Sequence, residues 1–161
     1  MTLRVSAGLL MFRFRDGSLQ IFLAHPGGPL FRNKDEGHWT IPKGEPPDDE
    51  PLIQAATREF EEETGIKPAG PFIELGSIRQ KGGKLVHAWA FEGDHDESQP
   101  VRSNTFEMEW PPRSGRYESF PEVDRARFFS LDEGKRKLKD TQWPLVARLV
   151  AILQNPNGAG K

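Results

Sequence analysis

The sequence predicts an α/β fold, an α/β/α sandwich built on a mixed β-sheet. Three observations carry this. Short apolar runs bounded by turn signals mix with a few helical patterns along one domain-sized chain of 161 residues. Over residues 85–92, Val86, Ala88 and Ala90 alternate with Leu85, His87, Trp89 and Phe91, the period-two pattern of a strand. Over residues 44–66 a loop, a short helix and a glycine stop follow one another directly.

Residues 5–14 read as a strand, turned at Asp16-Gly17 and returning over 19–24. A long loop follows to about Gly37. Its Gly27-Gly28 pair suits a tight turn, or the approach of backbone N–H groups to a phosphate. His25 suits a structural role better than a ligand role. Trp39, Thr40 and Ile41 predict a short strand, broken by Pro42. A helix is expected over 51–64. Pro51 favours the first turn, Asp48, Asp49 and Glu50 suit the positive end of the dipole, and Gly65 is a stop.

Residues 72–79 form the next strand, 81–84 a hairpin turn, and 85–92 its return. Residues 93–103 are polar and loop-like. Residues 106–110 read as a strand, 111–116 as a turn, and 126–130 as the last strand. A charged helix spans 131–139. Thr141 is placed to cap a final helix with Pro144 in its first turn. Val146, Leu149, Val150 and Leu153 recur there at helical spacing and should face the core. Residues 1–155 thus form a single domain, and 156–161 a polar tail.

Composition excludes several classes. The chain has 22 basic and 24 acidic residues, so duplex-DNA binding is not indicated. It has no cysteine, which excludes disulfides, thiol catalysis and cysteine zinc sites and fits a cytoplasmic location. No stretch reaches the roughly 18–20 apolar residues of a membrane span, and the first residues lack a signal-peptide layout.

The chemistry concentrates in the helix at 51–64. Glu59, Glu62 and Glu63 fall on one stripe, at i, i+3 and i+4, beside an apolar stripe of Ile53, Ala56 and Phe60. Like charges so placed weaken a helix by a few tenths of a kcal/mol per pair. A hard cation relieves that repulsion, and Mg²⁺ takes oxygen ligands and completes its shell with substrate phosphates. Arg58 is spaced to pair with Glu62 or to reach back to Glu50. Lys43, just upstream, can meet a phosphate as a point charge.

Residues 44–66, GEPPDDEPLIQAATREFEEETGI, read as Gly, five residues, Glu, seven residues, then Arg-Glu-Phe-Glu-Glu-Glu-Thr-Gly-Ile. This resembles the Nudix box, the signature of hydrolases that cleave nucleoside diphosphates linked to another moiety. One position departs, with Phe60 where the family usually has an aliphatic residue; it reads as a packing variant. The resemblance implies the Nudix α/β/α sandwich with a loop-helix-loop catalytic motif, and a Mg²⁺ or Mn²⁺ cofactor. It places Glu59, Glu62, Glu63 and the carbonyl of Gly44 in the metal shell, with Arg58 and Glu50 bracing the loop. It implies a further carboxylate from outside the box. Candidates are Glu107, Glu109, Glu118, Glu122 and Asp124, with Glu122 preferred because it just precedes the last strand. A homodimer is a further expectation by family analogy.

The resemblance also frames the substrate, a small-molecule nucleotide. The downstream proline that marks ADP-ribose enzymes is absent from residues 79–83, and Gly83 stands where a tyrosine marks dinucleoside polyphosphate enzymes. The Trp-x-x-Pro-Lys-Gly lead-in at 39–44 is similar to that of dinucleoside polyphosphate and inositol pyrophosphate hydrolases. A nucleoside triphosphate or dinucleoside polyphosphate is favoured. The alternatives are 5′-end processing of RNA and nucleotide or partner binding without turnover. Base stacking is open to Trp39, Trp89, Trp110 and Phe31, each also suited to packing. Arg79, Lys81, Lys84, Arg113 and Arg116 are candidates for distal phosphates.

Overall fold

The computed structural model describes residues 4–155, so the predicted tail at 156–161 lies outside the described residues. The strands are β1 (Val5–Arg15), β2 (Ser18–Pro26), β3 (Lys43–Gly44), β4 (Ile73–Arg79), β5 (Leu85–Glu92), β6 (Thr105–Glu109), β7 (Tyr117–Pro121) and β8 (Val123–Ser130). The helices are α1 (Leu52–Thr64), α2 (Leu131–Lys137) and α3 (Trp143–Gln154). The main sheet runs β4-β5-β1-β2-β8. Its central β1–β5 pair is parallel and the other pairs are antiparallel, so the sheet is mixed as predicted.

Alternation along β1 builds both faces of the core. Ala7, Leu9 and Met11 join Ala55, Ala56 and Phe60 of α1 on one side. Leu10 and Phe12 join Leu145, Val146 and Leu149 of α3 on the other. Among the described residues no helix is long and apolar enough to cross a membrane.

The sheet opens where the acidic helix begins. β1 and β2 pair only from Phe12 to Arg15 on the β1 side. Towards the start of β1 they diverge, and residues 39–44 fill the gap. Thr40 exchanges backbone hydrogen bonds with Ala24 of β2, the Leu9 N–H donates to the Pro42 carbonyl at 3.2 Å, and Lys43-Gly44 pair with Gly8 and Ala7. The strand expected at 39–41 is therefore two isolated bridges, Ala24↔Thr40 and Trp39↔Leu138. Pro42 has no N–H to extend a ladder. Gly8 lets the wedge sit close: a Cβ there would meet Ile41, Pro42 and Lys43, each at 2.9 Å.

Three other elements differ from expectation. β7 was not foreseen; four of its five residues are exposed, so it carries no alternating pattern. It pairs with β6 as a separate hairpin. β8 begins three residues early, at buried Val123, which pairs with Pro26. Thr141 does not cap α3. It sits in a 3₁₀ turn, Asp140–Gln142, and α3 starts without a side-chain cap.

Candidate active site

The helix α1 forms because its apolar side can be buried. Ala55, Ala56 and Phe60 are fully buried, and Gly65, at φ 78°, ends the helix with its N–H on the Glu61 carbonyl. The departure at Phe60 is a packing feature: its ring lies 6.3 Å from Phe22 and 5.2 Å from Phe91.

Arg58 braces the polar side. Its Nε and Nη2 donate to the two carboxylate oxygens of Glu50, at 3.0 and 2.8 Å. Its Nη1 donates to Glu59 at 3.2 Å and to Glu62 at 3.1 and 3.2 Å. One guanidinium thus ties the loop to two acids of the helix. The Arg58 hydrogen bonds hold the Glu50 carboxyl below its ordinary range, and the carboxylates raise the proton affinity of Arg58 in return.

Gly44 is needed for its missing side chain. A Cβ there would collide with the carboxylate of Glu59, which lies directly over it. The loop and the acidic stripe are locked together at that point. Glu63 lies beside Glu59 on the acidic stripe. Burial first, then the Glu59 charge, pushes the Glu63 carboxyl well above the usual carboxylate range.

Of the five outside carboxylates, the structure brings Glu122 to this cluster. Burial and the charge of Glu59 raise its proton affinity, and Glu122 also acts on Glu63. Backbone bonds set it there. The Asn104 N–H donates to the Glu62 carbonyl at 2.7 Å, the Arg102 N–H to the Thr64 carbonyl at 2.9 Å, and the Glu122 N–H to the Asn104 carbonyl at 2.9 Å. The free carbonyls at the end of α1 thus hold the loop that holds Glu122. The structure places the other four acids on the β6–β7 hairpin or beside His25. Glu109 accepts from the N–H groups of Arg113 and Gly115 at the hairpin turn. Glu107 and Glu118 stand within the hairpin opposite Ser119 and Met108. Asp124 is bonded to buried His25 at 2.8 Å.

The glycine pair is likewise not a phosphate cradle. The Gly27 N–H donates to the Glu122 carbonyl at 2.9 Å, a Cβ on Gly27 would strike the Pro121 carbonyl, and one on Gly28 would meet the Phe106 ring. Both glycines admit the base of the β6–β7 hairpin. His25 is the satisfied structural histidine expected, with its second ring nitrogen on the Lys34 carbonyl at 2.7 Å.

Trp39 is not placed for base stacking. It is 3% exposed, its ring packs 4.9 Å from Phe129 and 5.2 Å from His25, and its Nε1 donates to Asp35 at 2.8 Å. Trp89 lies beside His87, with ring centroids 4.7 Å apart. Lys43 sits half-buried next to Gly44. Burial and then Lys139 lower its pKa, while Glu63 and Glu45 act the other way. Arg79 and Lys84 flank the β4–β5 turn, and Arg113 and Arg116 lie exposed at the hairpin tip. Lys139 and Gln142 carried no signal in the sequence: Lys139 reads as the last residue of the charged helix expected at 131–139, and Gln142 as an ordinary residue before the final helix, whereas α2 ends at Lys137.

Among the described residues no three His, Cys, Asp or Glu side chains converge at ligand spacing. Glu62 and Glu59 are turned to Arg58. The donor set nevertheless fits a hard divalent ion. It is all oxygen, the charge of Glu59 raises the proton affinity of both Glu63 and Glu122, and Glu59 rests in the space that Gly44 leaves open.

The NUDIX domain family matches residues 2–149. This chain belongs to the Nudix family. Its enzyme class is that of the Nudix pyrophosphohydrolases. No curated protein matches it significantly in sequence. Solved structures share the fold. A Caenorhabditis elegans Ap4A hydrolase in a binary complex superposes with TM-score 0.66 at 22% identity, covering 95% of this Nudix chain and 99% of that one. The Nudix domain of Shewanella oneidensis NrtR, complexed with ADP ribose, gives 0.66 at 17%, covering 95% and 90%. A MutT/Nudix family protein from Listeria innocua gives 0.61 at 18%, covering 96% and 98%.

Proposed function

We propose that this Nudix protein is a divalent-metal-dependent hydrolase of a diphosphate linkage in a nucleoside diphosphate derivative, with a nucleoside triphosphate or dinucleoside polyphosphate as substrate. One observation carries the reading: Glu59 lies over Gly44 within electrostatic reach of Glu63 and Glu122, with Arg58 bracing Glu59 and Glu62. Carboxylates held close together on a partly buried surface repel, and a cation among them relieves that cost.

Glu59, Glu62, Glu63 and the Gly44 carbonyl would hold Mg²⁺ or Mn²⁺, with Glu122 completing the set. Bound there, the ion would neutralise phosphate oxygens and lower the pKa of a water. The chain itself orients the parts. Arg58 fixes the carboxylates, Gly44 keeps the loop against Glu59, and Lys43 offers a positive charge to the phosphate chain. Water attacks phosphorus, the bridging P–O bond breaks, and two phosphate-bearing products leave.

The test is Mg²⁺-dependent hydrolysis across nucleoside triphosphates, diadenosine polyphosphates, ADP-ribose and NADH, with Glu62→Gln beside the parent. Turnover lost with EDTA and in the variant supports the metal-site reading and names the substrate class. Folded proteins without turnover, in Mn²⁺ as well, shift the reading to 5′-triphosphorylated RNA or to binding without catalysis.

A further inference from the structure

Lys43, Lys84 and Lys139 come from β3, the start of β5 and the α2–α3 connection, yet both other lysines act electrostatically on Lys43. Lys81 lies in the turn just before Lys84. Among the described residues, none of these four ammonium groups has a hydrogen bond or an ion-pair partner. Glu63 and Glu45 offset part of the charge at Lys43, but lysines gathered together still repel unless a polyanion binds among them.

The chain fixes this arrangement from inside. Gln142 is fully buried. Its Nε2 donates to Thr40 Oγ1 at 2.8 Å and to Gln80 Oε1 at 2.9 Å, and its Oε1 accepts from the Ile41 N–H at 3.0 Å. The Lys139 N–H donates to the Trp39 carbonyl at 2.9 Å. The connection carrying Lys139 is thereby tied to the segment that leads into Lys43 and to the end of β4. A cleft of about 270 Å³ opens at this junction, lined among others by His38, Lys81, Lys139, Asp140 and Thr141. It has room for several waters or a phosphoryl group.

We propose that the α2–α3 connection completes an anion subsite, in which Lys139 with Lys43, Lys81 and Lys84 holds phosphoryl groups beyond the scissile linkage. The subsite selects substrates with three or more consecutive phosphates over those with two. Lysines suit this task, because point charges on flexible stems follow a bending phosphate chain without demanding one fork geometry. Gln142 is a positioning residue that sets the height of Lys139. The proposal rests on the diphosphate-hydrolase reading above.

The test separates the two. Calorimetry of the metal-free protein with inorganic tripolyphosphate and pyrophosphate needs no turnover. The parent should bind tripolyphosphate more tightly. Lys139→Ala should weaken tripolyphosphate binding about tenfold, the worth of one charge-assisted contact. Lys139→Arg should retain most of it, and Lys67→Ala, an exposed charge control beyond α1, should change nothing. In hydrolysis, Lys139→Ala should lower the ratio of kcat/KM for diadenosine tetraphosphate over ADP-ribose by the same factor. Equal tripolyphosphate affinity in the parent and Lys139→Ala, equal losses in Lys139→Ala and Lys67→Ala, or no binding by the parent overturns the subsite. Absence of turnover with tripolyphosphate binding intact overturns the hydrolase reading and leaves the anion subsite standing.

Discussion

The carboxylate of Glu59 occupies the space that a side chain at position 44 would need. This contact couples the loop before α1 to the acidic stripe on α1. Gly44→Ala must push Glu59 aside or push the loop away from β1. Either shift moves two of the expected metal donors together. Turnover at saturating Mg²⁺ should fall roughly 10–100-fold, the range for groups that orient metal ligands. The thermal midpoint should change little, since β3 adds only a two-residue pairing to the sheet. Wild-type activity in Gly44→Ala would show that Glu59 has no fixed role.

Arg58 offers a sharper test of orientation. Its fork grips both oxygens of Glu50 while Nη1 holds Glu59 and Glu62. Lysine keeps the charge and loses the fork. Arg58→Lys should therefore fold normally and need about 10–100-fold more Mg²⁺ for half-maximal rate. A Mg²⁺ titration of the rate reads this directly. An unchanged midpoint would reduce Arg58 to an ordinary helix-surface pair.

The raised proton affinity of Glu63 links stability to pH and to metal. The folded metal-free protein holds this proton more tightly than the unfolded chain does. Stability from this group is therefore complete below the ordinary glutamate value of ~4.3 and declines as pH rises from there towards the folded value. Glu63→Gln resembles the protonated form and has no charge to bury. In EDTA it should melt higher than the parent at pH 8, with a flatter dependence on pH. Its Mg²⁺-dependent turnover should fall on the order of 10²-fold or more. Thermal melts in EDTA from pH 5 to 9 check the first point. A Glu63→Gln protein less stable than the parent across that range would contradict the acid cluster.

The acidic helix was legible in the sequence because every determinant is local. Residue spacing alone puts Glu59, Glu62 and Glu63 on one stripe, and Pro51 and Gly65 bound the helix within one residue of expectation. Arg58 and Glu50 lie eight residues apart and within reach across the turn. Trp39 was not legible. Its indole N–H is satisfied by Asp35 outside any helix, so nothing in the spacing marks it as core. The β6–β7 hairpin was half seen, because an exposed strand such as β7 has no buried face to imprint a pattern. The location of Glu122 depends on contacts from three segments distant in the chain, at Gly27, Glu62 and Asn104. Its place beside the last strand was readable, but its meeting with Glu59 was not.

That dependence yields the last prediction. Glu122 follows the base of the hairpin whose tip Glu109 holds through the N–H groups of Arg113 and Gly115, and of the two it is Glu122 that acts on Glu63 and feels the charge of Glu59. Glu122→Gln should lower turnover at least tenfold and weaken metal affinity, since one anionic donor is lost while its backbone bonds stay intact. Glu109→Gln keeps one acceptor oxygen for the turn and should leave turnover within about twofold of the parent, with any cost confined to hairpin order. Gly27→Ala approaches the same point from behind. Its methyl group would strike the Pro121 carbonyl and shift the strand end that carries Glu122. It should mimic Glu122→Gln in turnover while leaving every carboxylate in place. Rates for the three variants, measured beside their melting curves, decide the matter. A loss in Glu109→Gln equal to that in Glu122→Gln would mean that the hairpin as a whole, rather than Glu122, serves the site.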